Sequence, residues 1–156
     1  MAKYNSITSS SELASLLQSH EYTLIDFWAT WCPPCKAIAP IFERLAAENA
    51  TDKTLAFAKV DVDACRDIAQ RYKISAMPTF LLLRKDVPVK AVRGADAAGI
   101  KKLVGYARKK GCGEKVSEKE EEEFSQVEFG GGGGGSWLPL VVVVLLLVWW
   151  FLGRGK

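Results

Sequence analysis

The sequence predicts an α/β sandwich, a central mixed β-sheet flanked by helices. Three observations carry this. The apolar runs Tyr22–Ala29 and Leu55–Val60 alternate with segments of helical spacing. Thr79–Leu83 and Val87–Arg93 flank the polar turn Arg84-Lys85-Asp86, the pattern of a hairpin. Ala95 to Lys110 then reads as a closing amphipathic helix. Strands alternating with helices, then a hairpin, then a last helix give parallel and antiparallel pairs in one sheet.

Taken in order, Tyr4–Ile7 reads as a short edge strand. Ser9–Leu17 reads as a helix with a serine N-cap, and Leu13, Leu16 and Leu17 give it one apolar face. Tyr22–Ala29 is the first strong strand. Pro34 to Asn49 is a long helix, and Pro40 inside it should kink it by removing a backbone donor. Leu55–Val60 is the second central strand and Ala64–Tyr72 a short helix before the hairpin.

The chain's 156 residues suit one domain with an appendage. The formal net charge of +3 conceals an asymmetry: +6 over residues 1–113, −5 over 114–128, and +2 from Arg154 and Lys156. The basic residues are scattered, without a stripe interleaved with aromatics, so no nucleic-acid partner is expected. Four cysteines are too few for a disulfide-stapled secreted scaffold. The start Met-Ala-Lys-Tyr-Asn-Ser-Ile-Thr lacks an apolar h-region and an Arg-rich transit pattern, so a reducing compartment is expected.

The chemistry concentrates in Trp31-Cys32-Pro33-Pro34-Cys35-Lys36, at the junction of a strand and a helix. Two thiols three apart there can close a small ring without unfolding the helix, a pattern suited to disulfide exchange. The positive end of the helix favours a thiolate at Cys32, while Cys35, one turn further in, should be more buried and less acidic. A zinc site would need two more ligands. Cys65 and Cys112 form no second pair and His20 is the only histidine, so no metal is expected. A purely structural disulfide in so short a ring would remove little chain entropy. Prolines at both middle positions suit a helix start. Asp26 lies among Leu24, Ile25, Phe27 and Trp28, apolar on both alternating faces, as in a strand buried on both sides. A buried carboxyl behind a dithiol would have a raised pKa and could accept the Cys35 proton. Cys65 is expected to be inert, and Cys112 an incidental thiol in a flexible polar segment.

These residues resemble the thioredoxin family over Lys3 to Lys110. The motifs are Asp26-Phe-Trp-Ala-Thr-Trp-Cys-Pro-Pro-Cys-Lys36, Pro40, Lys59-Val-Asp-Val-Asp63, Met77-Pro-Thr-Phe80 and Gly94. One departure is Pro33, where the commonest motif has Gly; it stiffens the turn. The resemblance implies the thioredoxin fold, with Cys32, Cys35, Asp26 and Lys59 as catalytic residues and Lys59 beside Asp26 on the adjacent strand. It implies a cis Pro78 packed on the dithiol, with the Met77 backbone offered to a substrate strand. Trp31, Met77 and Gly94 would form an apolar rim, with Pro33, Pro34 and Pro78 completing the substrate-binding surface and Trp28 packing beneath. The implied partners are disulfide-containing protein substrates and an NADPH-dependent thioredoxin reductase; no bound cofactor is implied, and a monomer is expected.

The expected organisation is a domain over 1–112, an acidic and Gly-rich flexible linker over 113–136, an apolar segment over 137–152 and a short basic tail over 153–156. Trp137 to Leu152 carries no charge. As a helix it would be ~24 Å long against a hydrocarbon core of ~30 Å, short but tolerable. Trp137 at one end and Trp149 and Trp150 at the other resemble an aromatic belt. The reading is a single transmembrane anchor, with an oligomerising or aggregation-prone β segment and a gene-prediction artefact as the competitors. The basic tip opposes a cytosolic domain by the positive-inside rule, but a folded domain behind a Glu cluster is hard to translocate. The domain is therefore expected to face the cytosol, on the outer mitochondrial membrane or the endoplasmic reticulum, with a soluble cytoplasmic protein as the alternative. The leading function is a membrane-tethered protein-disulfide reductase. The alternatives are a disulfide oxidase or isomerase on a translocated domain and a redox-inactive adaptor.

Overall fold

The computed structural model describes residues 3–51 and 53–114. The segments 115–136, 137–152 and 153–156, with the expected linker, anchor and tail, lie outside the described residues. Nine elements follow in order: β1 (Asn5–Ile7), α1 (Ser10–Ser19), β2 (Tyr22–Trp28), α2 (Pro33–Asn49), β3 (Leu55–Asp61), α3 (Arg66–Arg71), β4 (Thr79–Arg84), β5 (Val87–Arg93) and α4 (Ala97–Gly111). They build a five-stranded sheet of order β1-β3-β2-β4-β5. β3 runs parallel to β1 and β2, and β4 runs antiparallel to β2 and β5. The mixed sheet is as expected.

Period-2 alternation sorts the sheet into two faces. Tyr22, Leu24, Leu55, Phe57, Phe80 and Leu82 pack with Ile38 and Phe42 of α2 and Leu103 of α4. Ile25, Phe27, Ala58, Val60, Leu81 and Leu83 pack with Leu13 and Leu17 of α1 and Ile68 of α3. β2 is buried on both faces because it lies at the centre of the sheet, which explains why its residues other than Thr23 and Asp26 are apolar. Each of the largest buried side chains contributes ~1.5–3 kcal/mol by leaving water.

Helix ends differ from the expectation, for local reasons. Ser9 caps α1, its hydroxyl accepting the Glu12 N–H at 3.2 Å, as anticipated. The final helix starts at Ala97, not Ala95, because Asp96 caps it and accepts the N–H groups of Ala98 and Gly99 at 3.0 Å each. The short helix contracts to Arg66–Arg71, since Cys65 is its cap and Lys73 turns at φ +53°. α2 starts at Pro33 and runs on past Pro40 to Asn49. Pro40 is exposed, so solvent can satisfy the carbonyl it leaves without a donor.

Candidate active site

Chain geometry brings the dithiol to the sheet's end. β2 stops at Trp28, and Ala29 to Trp31 turn the chain into α2, with the Cys32 N–H donating to the Ala29 carbonyl at 3.2 Å. Cys32 is the N-cap of this 17-residue helix, and Pro33 and Pro34 fill its first turn, where a missing N–H is harmless. Cys32 and Cys35 form a disulfide with Cα atoms 5.3 Å apart. Cys32 Sγ also accepts the Cys35 backbone N–H at 3.3 Å. A sulfur in that position gains both a hydrogen bond and the positive helix end, the setting that favours a thiolate.

Burial does not separate the two cysteines, contrary to the sequence expectation: each is 3% exposed. They differ in place along the helix. Cys32 caps the start, and Cys35 lies inside the first turn, where its N–H is the donor rather than the beneficiary.

The surroundings assemble as expected in most respects. Ala29 and the two cysteines pack together, with Trp28, Val62 and Met77 against them. The Met77–Pro78 peptide is cis and Pro78 is buried. This segment is pinned from both sides. The Gly94 N–H donates to the Pro78 carbonyl at 2.8 Å, and the Thr79 hydroxyl donates to the Ala76 carbonyl at 2.8 Å. Gly94 has φ +84°, a conformation that strains any residue with a Cβ. Trp31 is 62% exposed, and Pro33 and Pro34 are exposed beside it. These groups give the covered disulfide an apolar collar.

Asp26 is 1% exposed and shares the α2 face of the sheet with Leu24. It stands in register with Lys59 on β3 and Phe80 on β4. Burial pushes its carboxyl pKa up to about 7; the Lys59 ammonium pulls it down and the Glu43 carboxylate pushes it further up. Asp26 Oδ1 has no hydrogen-bond partner. Lys59 lies where the resemblance placed it, but its ammonium bonds Glu43 of α2 at 3.2 Å.

Two residues at this end of the sheet escaped sequence reasoning. Asp63 accepts the Trp31 indole N–H at 2.7 Å, fixing an otherwise exposed ring. It belongs to the quoted Lys59–Asp63 motif, which was its only signal. Glu43 follows the buried Phe42 on the flank of the apolar stripe of α2. Nothing in the sequence distinguishes it from an ordinary solvated glutamate.

Comparison with known proteins agrees with this geometry. The family model described as Thioredoxin matches residues 5–106. A thioredoxin-like protein of Fusarium culmorum is 47% identical over 116 residues, covering 69% of this chain and 96% of its own. A Neurospora crassa thioredoxin is 43% identical over 100 residues, covering 61% and 79%. The crystal structure of Malassezia sympodialis thioredoxin superposes with a TM-score of 0.64 at 36% identity, covering 69% of this chain and 92% of that one. With sheet order, dithiol placement and family match in agreement, the chain belongs to the thioredoxin family and is a thiol-disulfide oxidoreductase.

Proposed function

We propose that this protein is a protein-disulfide reductase in which Cys32 attacks first and Cys35 resolves. The observation that carries the reading is the Cys32 sulfur capping α2 and accepting the Cys35 N–H. In the reduced enzyme, the Cys32 thiolate attacks one sulfur of a substrate disulfide and expels the other as a thiolate, forming a mixed disulfide. Cys35 loses its proton, with Asp26 as the acceptor, and attacks Cys32. The second substrate thiolate leaves and takes up a proton. The enzyme dithiol has lost two electrons and become the disulfide; the substrate disulfide has gained them and become two thiols. An NADPH-dependent thioredoxin reductase restores the dithiol. Trp31, Pro33, Pro34, Met77, Pro78 and Gly94 form the surface that receives the substrate strand, with Lys59 tuning Asp26.

The test is the reduction potential of the full chain, measured against a glutathione couple. A value near the ~−270 mV reference for thioredoxins supports the reductase; one near ~−120 mV makes it an oxidant.

We further propose that residues 137–152 tether this domain to a membrane, leaving it on the cytosolic face of the outer mitochondrial membrane or the endoplasmic reticulum. Support comes from the sixteen uncharged residues and their tryptophan ends. Among the described residues no helix is long and apolar enough to cross a membrane, and this segment lies outside them. The full chain should stay with membranes after alkaline carbonate, and protease outside intact organelles should digest the domain. Release by carbonate removes the anchor, and protection of the domain reverses the topology and favours an oxidase or isomerase.

A further inference from the structure

Among the described residues Lys59 is the only cation that acts on the buried Asp26, yet its ammonium is engaged elsewhere. It donates to Glu43 Oε1 at 3.2 Å, and the Tyr4 hydroxyl donates to the same oxygen at 3.4 Å. The Tyr4 and Trp28 rings each lie 5.3 Å from the ammonium, so it is held between two aromatic faces and one carboxylate. A cleft of about 390 Å³, lined in part by Tyr4, Trp28, Lys59 and Asp61, adjoins this cluster. On the inner side, Asp26 Oδ1 has no partner. The charged groups that act on that carboxyl are Lys59 from β3 and Glu43 from α2, while its register partner Phe80 on β4 is apolar.

A lysine opposite a buried aspartate would ordinarily close on it, because an unpaired buried carboxylate is costly. Such a pair would keep Asp26 ionised across the physiological range and spoil it as a proton acceptor. Here a carboxylate on the outer side competes for the ammonium. Glu43 has a 42% exposed side chain and Lys59 a 13% exposed one, so the pair sits where solvent still shares the charge.

We propose that Glu43, with Tyr4 against it, is a positioning residue that anchors the Lys59 ammonium away from Asp26 and so keeps the two from closing into an ion pair. The proposal extends the reading of Asp26 as the Cys35 proton acceptor. The arrangement makes Glu43 act mainly through Lys59, with its own negative charge adding in the same direction. Neutralising Glu43 frees the ammonium to approach Asp26 and removes the outer negative charge. Both changes favour the ionised carboxylate.

The experiment follows the Asp26 carboxyl by ¹³C chemical shift against pH in the full chain in non-ionic detergent. The protein is kept oxidised so that Cys32 and Cys35 do not titrate. Glu43→Gln should move the Asp26 midpoint to lower pH by roughly 0.5 or more. Glu43→Asp, which keeps the charge, should return it toward the wild-type midpoint. Tyr4→Phe should give a smaller acid shift. In a Lys59→Met background, Glu43→Gln should shift the midpoint by less than half as much. A midpoint unmoved or raised by Glu43→Gln overturns the proposal. Equal shifts with and without Lys59 also overturn it, because Glu43 would then act by its charge alone. This readout does not depend on turnover: if Asp26→Asn left exchange rates unchanged, the proton-acceptor reading would fall, while the effect of Glu43 on the Asp26 midpoint would still be decided by titration.

Discussion

Cys32 and Cys65 occupy equivalent places in the fold. Each follows a parallel strand, each caps the helix after it, and they are 3% and 2% exposed. Their sulfurs do opposite things. Cys32 Sγ accepts a backbone N–H from its own helix, so negative charge on it is welcomed. Cys65 makes no side-chain cap; its thiol donates to the Ile7 carbonyl at 3.5 Å, a bond that requires the proton. Burial pushes the Cys65 thiol pKa up, and Asp67, Asp61 and Glu12 push it further. The first turn of α2 contains no acidic residue, whereas that of α3 contains Asp67. α2 also has 17 residues to the 6 of α3, giving it a fuller dipole at the cap. A buried cysteine at a helix start is therefore not yet a nucleophile; the direction of its hydrogen bond and the sign of its neighbours decide.

The largest expected effect breaks the comparison at Cys32. Cys32→Ser should lower insulin disulfide reduction on the order of 10³-fold or more, because the attacking thiolate is gone. Cys35→Ser should accumulate mixed disulfides with substrates, visible on non-reducing gels, since attack occurs but resolution does not. Trapped species in Cys32→Ser instead would reverse the two roles.

Much of this contrast was legible in the sequence, but not its decisive part. The strand runs, the hairpin and the dithiol at a strand-to-helix junction rest on local patterns, and local patterns persist in the fold. Asp26 was legible because a central strand is apolar on both alternating faces and a lone carboxyl stands out. Its pairing with Lys59 was not, since register depends on how distant strands align; the family resemblance supplied it. Glu43 and Asp63 had no individual signal, because their partners arrive from other elements through tertiary packing. Equal burial of Cys32 and Cys35 was missed because a helix position does not say what packs over it. Cys112 was read as part of a flexible polar segment, whereas it is the exposed C-cap of α4, its N–H donating to the Arg108 carbonyl at 3.0 Å.

Asp26 sharpens the comparison with an effect of intermediate size. Acidic groups act on Cys65 from around its helix start, while Asp26 is itself buried and its carboxyl is pushed toward the protonated form. Its pKa rises from 3.8 to about 7 on folding. With a raised native pKa, the native state binds more protons than the unfolded state between these values. Its stabilising share is thus complete below about pH 4 and is lost as pH rises through 7. Asp26→Asn should therefore stabilise the fold at pH 8 by up to about 4 kcal/mol, and by progressively less toward pH 4. Disulfide exchange should slow by about tenfold. Denaturant melts at both pH values check the first claim; a stability gain independent of pH would mean that Asp26 is not the titrating group. An unchanged exchange rate would remove it from proton transfer.

The smallest effect is expected at Cys65. Cys65→Ala removes a weak donor and a little packed volume, costing about 1 kcal/mol and leaving disulfide reduction within about twofold. A sharper readout is alkylation of the reduced full chain by iodoacetamide at pH 7, with sites located by mass spectrometry. Cys32 should react first because its sulfur accepts an N–H at the positive end of α2, and exposed Cys112 should follow. Cys65 should react only when the protein is unfolded, its modification rate tracking denaturant. Asp67→Asn, which removes one negative neighbour but leaves burial and the Ile7 bond intact, should leave that protection in place. If Cys65 in the native protein reacted as fast as Cys112, its bond to the Ile7 carbonyl and its acidic neighbours would not be holding it silent. The difference between the two helix caps would then rest on what favours Cys32: its accepted N–H, the longer helix and Cys35 as a partner.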